Sequence, residues 1–219
     1  MTKLEIQNKV LVCLYGRREI IMKKLNLPFI NNQILRTGSL LISDPFLDDP
    51  YFKRSVVLIC EHSQESSFGF VLNNYTEHKY FPFSEIEPLQ EMQLAIGGPV
   101  DHDKLFYIHN LGSKIPGAQK IKNGLYFGGD FDVLIELLKN EPIENIDTNI
   151  SVRFFCGYSG WDEKQLDEEM QEHSWIAVNN IPNEIILSTN ENQLWKKCLA
   201  LQGDKFELIS NFPLNPLDN

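Results

Sequence analysis

The sequence predicts an α+β fold, because short β-branched and aliphatic runs fill the first half of the chain while strands and amphipathic helices alternate in the second. A doubly wound parallel sheet would show that alternation from the start, and no internal repeat suggests a solenoid. At 219 residues, 42% hydrophobic and 11% aromatic, the chain can bury most of its apolar surface in one core or two. Its organisation reads as a leader over 1–32, a single domain over 33–210 and a loose tail over 211–219 that carries Pro213 and Pro216.

The elements follow in order. Residues 39–43 and 55–60 are aliphatic runs between polar, proline-containing segments, the pattern of buried strands. Residues 68–72 form a third such run, and the polar loop 63–67 makes a hairpin with the second. Residues 93–96 and 105–109 flank Gly97, Gly98 and Pro99, which reads as a second hairpin. Residues 125–127 lead through Gly128 and Gly129 into a helix with Phe131, Leu134, Ile135 and Leu138 on one face and Asp130 as its N-cap. A strand over 151–156 is followed by a tight turn over 157–161 and a helix from Asp162 to about His173, with Gln165 at capping-box spacing from Asp162. The acids Asp162, Glu163, Asp167, Glu168 and Glu169 gather at the positive end of that helix and read as a solvated face, or as a docking face for a basic partner. A strand over 175–178 and a helix over 192–201 close the chain.

Charge and cysteine usage exclude several classes. The net charge of −10 repels phosphate backbones and acidic membranes, so no nucleic-acid partner is expected. No run approaches the roughly 20 apolar residues of a membrane-spanning helix, which predicts a soluble chain without a membrane partner. Cys13, Cys60, Cys156 and Cys198 form no C-x-x-C pair and read as reduced, cytoplasmic thiols. The first 24 residues carry net +4, from Lys3, Lys9, Arg17, Arg18, Lys23 and Lys24 against Glu5 and Glu19. Their apolar stretch is interrupted by charges, which is not a signal peptide, and Met22 reads as a second possible start of translation.

Ser43-Asp-Pro-Phe, the run 52–59, Glu61-His62, Gly69 to Asn73, Gly97 to Val100, His109, Gly124 to Asp130 and Arg153 to Trp161, with Gln165, Leu166, Glu168 and Trp175, occur in one order over about 36–178. That ordered series resembles the successive signatures of the YqgE/AlgH family. The resemblance implies a branched β-sheet, part of it closing into a small barrel, surrounded by helices, in a protein of the bacterial cytosol. It supplies no chemistry, and no helix-turn-helix supports the regulator label attached to some members. Cys156 stands where the family pattern has an aliphatic residue, which speaks against its thiol as the seat of a shared activity. Asp101-His102-Asp103 is not part of the pattern either.

The candidate catalytic residues are His62, His109 and Arg153, which lie at strand ends or beside glycine turns. Converging, they would give an imidazole able to move protons near neutral pH and a guanidinium able to hold an anion. The competing expectation is structural: His62 and Asn73 bind loop backbone, and Arg153 pairs with Asp130. Candidate ligand or partner surfaces are Asn73, Gly97, Gly98, Gly129, Asp130, Tyr158 and Trp161. Ser159 lacks nucleophile-elbow spacing, since Gly160 follows it directly. The histidines at 62, 78, 102, 109 and 173 show no zinc spacing, and no cofactor motif is present. The function these residues favour is a non-enzymatic binding or regulatory module for a protein or small molecule. The alternative is an enzyme with His62 or His109 as general base and Arg153 as anion-binding residue.

Overall fold

The computed structural model describes residues 33–45, 47, 49–76, 86–87, 89–140, 150–188 and 193–211. The leader with Cys13 and Met22, His78 and residues 212–219 of the tail lie outside them. Ten strands form one sheet: β1 (Leu40–Ser43), β2 (Val56–His62), β3 (Ser67–Val71), β4 (Tyr75–Thr76), β5 (Leu94–Ile96), β6 (Val100–His109), β7 (Gln119–Lys122), β8 (Leu125–Phe127), β9 (Val152–Trp161) and β10 (Trp175–Val178). The helices are α1 (Phe131–Asn140), α2 (Gln165–Gln171), α3 (Asn183–Leu187), α4 (Leu194–Ala200) and α5 (Asp204–Ser210). The class is α+β, as the sequence predicts: of the strand pairs described, only β5 with β9 is parallel.

The main path runs β10-β1-β2-β3-β9-β6-β8-β7, and the sheet branches at β9. One edge of β9 pairs with β6, while the other is shared by β5, along Phe154 to Cys156, and β3, along Ser159 to Trp161. Strands β1 and β2 read as continuous apolar runs because both of their faces are covered. Leu40, Ile42, Val56 and Leu58 pack with Leu194, Trp195, Cys198 and Leu199 of α4. Their alternate neighbours Leu41, Val57 and Ile59 pack with Trp161, Trp175 and Leu166 of α2. A third cluster joins Tyr107, Phe154 and Cys156 to Leu134 and Leu138 of α1.

The barrel-like part is a curl. Phe68 and Phe70 on β3 lie three strand spacings from Phe127 on β8, roughly 14 Å if the sheet were flat. Yet their rings lie 5.2 and 5.8 Å from that of Phe127. Phe70, fully buried, also stacks on Phe155 at 4.6 Å and meets Phe106 at 5.7 Å. Among the described residues the hydrogen-bonded ladder stays open, with β10 and β7 at its ends, so side chains and not backbone pairing complete the curl.

Two expectations are corrected. Strands β5 and β6 do not form a hairpin: β9 lies between them, hydrogen-bonded to both. The chain passes from one to the other across β9 through Gly97 and Gly98, where an added Cβ would collide with the backbone of Gly157 and of Ser159. Ser159 Oγ fixes that crossing by donating to the Gly97 carbonyl at 2.9 Å. Likewise, residues 157–161 are no turn but the continuation of β9, and α2 starts only at Gln165. The glycines of this run make room for the crossing backbone instead of reversing the chain.

Phe70→Ala removes the ring that four other aromatic rings touch, and we expect it to lower stability by about 3–5 kcal/mol in urea unfolding.

Candidate functional site

The structure places the three candidate catalytic groups apart. His109 ends β6 and Arg153 begins β9, but Arg153 lies opposite Ile108 and His109 opposite Val152, so their side chains leave opposite faces of the sheet. His62 ends β2 opposite Ser67, whose other neighbour is Trp161 at the far end of β9, eight residues and roughly 25 Å from Arg153.

Each of these groups is held internally. His109 is fully buried and contacts Gly128 O through Nε2 at 3.0 Å, while Nδ1 accepts from the Leu111 amide at 3.1 Å. These two bonds assign the proton to Nε2 and leave no lone pair for a base. Burial lowers its pKa below the usual 6.5, the hydrogen bond to Gly128 opposing in part. Arg153, 2% exposed, donates to the Ile186 carbonyl at 2.8 Å, to the Leu72 carbonyl and to the Tyr75 hydroxyl at 3.1 Å. Its guanidinium also faces the rings of Phe155 and Tyr75. It does not pair with Asp130, which instead caps α1 by accepting from the Asp132 and Val133 amides, both at 3.1 Å. His62 Nδ1 lies 2.7 Å from Ser67 Oγ, a cross-strand pair and not a backbone contact.

Asn73 ties two segments, accepting from the Val56 amide and donating to the Arg54 carbonyl, each at 2.8 Å. Trp161 is buried, and its indole N–H donates to Glu169 Oε2 at 3.0 Å, as does that of Trp175 at 2.7 Å. Gln165 holds the second carboxylate oxygen at 3.0 Å. Glu169 is therefore not one of the solvated acids but the clamp between α2 and the sheet. The sequence carries the signal only as a glutamate four residues after Gln165, on the turn that faces two tryptophans.

What the fold does bring together is an open concavity of about 570 Å³ beside β6, the end of β8 and the start of α1. Its walls are Leu105, Phe106, Phe127 and Phe131, and Asp103 and Lys104 stand on its rim. Gly128 and Gly129, with φ +60 and +110, turn the chain away from β6 at this point. A Cβ on Gly129 would lie 2.6 Å from Ile115 Cγ2, so the turn is packed as well as bent. Tyr107 holds it by donating to the Gly129 carbonyl at 2.8 Å, and its phenol is pushed up to about 12 by burial and the charge of Asp130. Tyr158, half-buried, packs edge-on against Phe106 at 5.6 Å and supports the wall from β9.

Among the described residues, the turn leaves part of β6 without a strand neighbour on its β8 side. The Tyr107 carbonyl accepts from the Gly128 amide at 3.0 Å, so in the regular part of β6 the residues Leu105, Tyr107 and His109 aim their backbone groups toward β8. Beyond Gly128 the chain departs into α1, and among the described residues no strand covers the β8 side of Leu105. The Cys156 thiol is buried, and desolvation pushes its pKa up to about 12. Among the described residues no group of three His, Cys, Asp or Glu side chains is placed to hold a metal.

The chain is an α+β protein with a curled, branched sheet and an aromatic concavity beside β6. Residues 40–207 match the family DUF179, described as AlgH-like, and the chain belongs to that family. The chain is similar to a UPF0301 protein of Parabacteroides distasonis, 42% identical over 187 residues, which cover 83% of this chain and 90% of that one. Its fold is similar to that of a protein from Corynebacterium diphtheriae, with TM-score 0.65, 21% identity and coverage of 82% and 94%. It is also similar to that of the AlgH protein from Pseudomonas aeruginosa, with TM-score 0.61, 22% identity and coverage of 81% and 94%. None of these descriptions names a reaction or a ligand.

Two measurements check the internal roles. His109 is depressed in the folded state, so its contribution to stability is present above pH 6.5 and is lost as pH falls from there through its folded pKa. Wild-type unfolding free energy should therefore drop over that window more steeply than that of His109→Gln. Glu169→Ala leaves two buried indole N–H groups unpaired, and we expect a loss of about 2–4 kcal/mol with altered tryptophan fluorescence.

Proposed function

We propose that this chain is a non-catalytic binding module whose partner surface is the aromatic concavity beside β6 and the Gly128–Gly129 turn. The observation that carries this reading is a contrast. The imidazole of His109 and the guanidinium of Arg153 are occupied by backbone carbonyls and amides, whereas the aromatic walls of the concavity face open space. Of the candidate surface residues, Gly129 shapes this site, Asp130 borders it and Tyr158 supports it; Asn73, Gly97, Gly98 and Trp161 serve the scaffold. A small domain over 33–210 that holds an aromatic hollow open on a rigid sheet suits recognition more than turnover. Among the described residues no helix is long and apolar enough to cross a membrane. The buried free thiols Cys60, Cys156 and Cys198 suit a reducing compartment, and we place the module in the bacterial cytoplasm. With a net charge of −10, a protein or small molecule is the fitting partner, not a nucleic acid.

Affinity capture from native extract, read by mass spectrometry, tests the reading with Phe131→Ala and His62→Ala proteins beside the wild type. Phe131→Ala, which should lower the melting temperature because Phe131 also packs on Tyr107 but should stay folded, should lose its specific partner by about tenfold or more, and His62→Ala should retain it. A captured set unchanged by Phe131→Ala, or lost selectively with His62→Ala, contradicts the assignment.

A further inference from the structure

The concavity is bordered by a strand edge that no other described strand pairs, as well as by apolar side chains. In β6 the backbone groups of Phe106 and Ile108 face β9, because Phe106 lies opposite Phe155 and Ile108 opposite Arg153, whereas Cys156 and Phe154 turn their own groups toward β5. The Cys156 carbonyl accepts from the Gly97 amide on that far side, which fixes the phase. Leu105, opposite Cys156 in the regular part of the ladder, therefore presents N–H and C=O to the side where β8 has already ended. A segment continuing the line of β8 would find these groups unpaired, with Phe106, Phe127 and Phe131 beside it to receive a side chain.

Charge selects the occupant. Lys104 on the rim is already neutralised by Asp101 at 2.7 Å. Asp103 stands beside it; Asp130 and Asp132 are exposed at the start of α1, Asp130 close enough to act on the Tyr107 phenol; and Glu87 is exposed next to Ile86, which lines the hollow. Among the lining residues and their immediate neighbours in the chain, carboxylates thus outnumber the one lysine, which is itself paired.

We propose that this site binds an extended basic peptide segment by strand addition to the β6 edge at Leu105, with one large apolar side chain seated among Phe106, Phe127 and Phe131. This occupant rests on the binding-module reading and narrows it to a class of partner. Backbone pairing would supply affinity that is independent of sequence, the aromatic hollow would select the anchor, and the acidic rim would select the flanks.

The test is fluorescence anisotropy with a labelled heptapeptide, Val-Phe-Val flanked by two lysines on each side, against the whole protein. Saturable binding is expected, weakened about tenfold by N-methylation of the peptide backbone at its central residue, which removes a ladder hydrogen bond. Asp103→Lys, an exposed substitution, should weaken it by a similar factor without changing the melting temperature. In amide spectra the Leu105 signal should move on binding, while that of Phe106, already paired to β9, should not. Equal binding of the N-methylated peptide, or an unmoved Leu105 amide, overturns strand addition. Equal binding of a peptide with glutamates in place of the lysines overturns the basic occupant but leaves a binding module in place. No binding by either peptide overturns the proposal, and the capture experiment with Phe131→Ala then decides the module separately.

Discussion

The packing of Phe70 against rings from β3, β6, β8 and β9 is the interaction on which the rest of this structure depends. A sheet of this order left flat would expose one aromatic face, and a right-handed twist alone would not bring β3 to β8. The rings supply the missing closure, each pair adding about 0.5–1.5 kcal/mol beyond the area it buries. The consequence is functional as well as architectural. Phe106 and Phe127, two walls of the concavity, both rest on Phe70, so the hollow inherits the rigidity of the core.

A second constraint is the satisfaction of buried polar groups. Asn73, His109 and Arg153 each join separate segments by hydrogen bonds to their backbone, Arg153 also to a phenol, while Glu169 ties α2 to β9 and β10 through two indoles and Gln165. A guanidinium removed from water is costly unless its donors are engaged, and two carbonyls and a phenol engage Arg153. Such residues look catalytic in a sequence for the same reason that they are indispensable to the fold: both roles require polar chemistry at strand ends beside tight turns. The branch at β9 makes this demand acute, because three strands converge on it and their loops must be tied off at close range.

Much of the fold was legible. The β2–β3 hairpin, the β8-turn-α1 unit with Asp130 as its cap, and β10 follow from local pattern and capping chemistry, which act within a few residues. What was not legible is long-range. Nothing near Gly97 announces that a strand starting some fifty residues later will lie between β5 and β6, so the glycines read as a hairpin turn. The run after Cys156 read as a second turn for the same reason. Glu169 was counted among solvated acids, since only the folded arrangement brings Trp161 and Trp175 to one carboxylate. The concavity was half visible: its glycines were singled out, but its aromatic walls come from separate strands and from the first residue of α1. The strands β7 and the helices α3 and α5 carry too weak a period to be read from sequence alone.

The central claim is that aromatic side chains curl an open sheet and thereby hold the hollow in shape. The most direct measurement is the set of nuclear Overhauser contacts between ring protons of Phe68 or Phe70 and those of Phe127. The curl predicts strong cross-peaks, since these rings lie 5.2 and 5.8 Å apart centre to centre. Intact backbone contacts along β3–β9 and β6–β8 without those ring contacts would mean a flatter sheet, and would contradict the account.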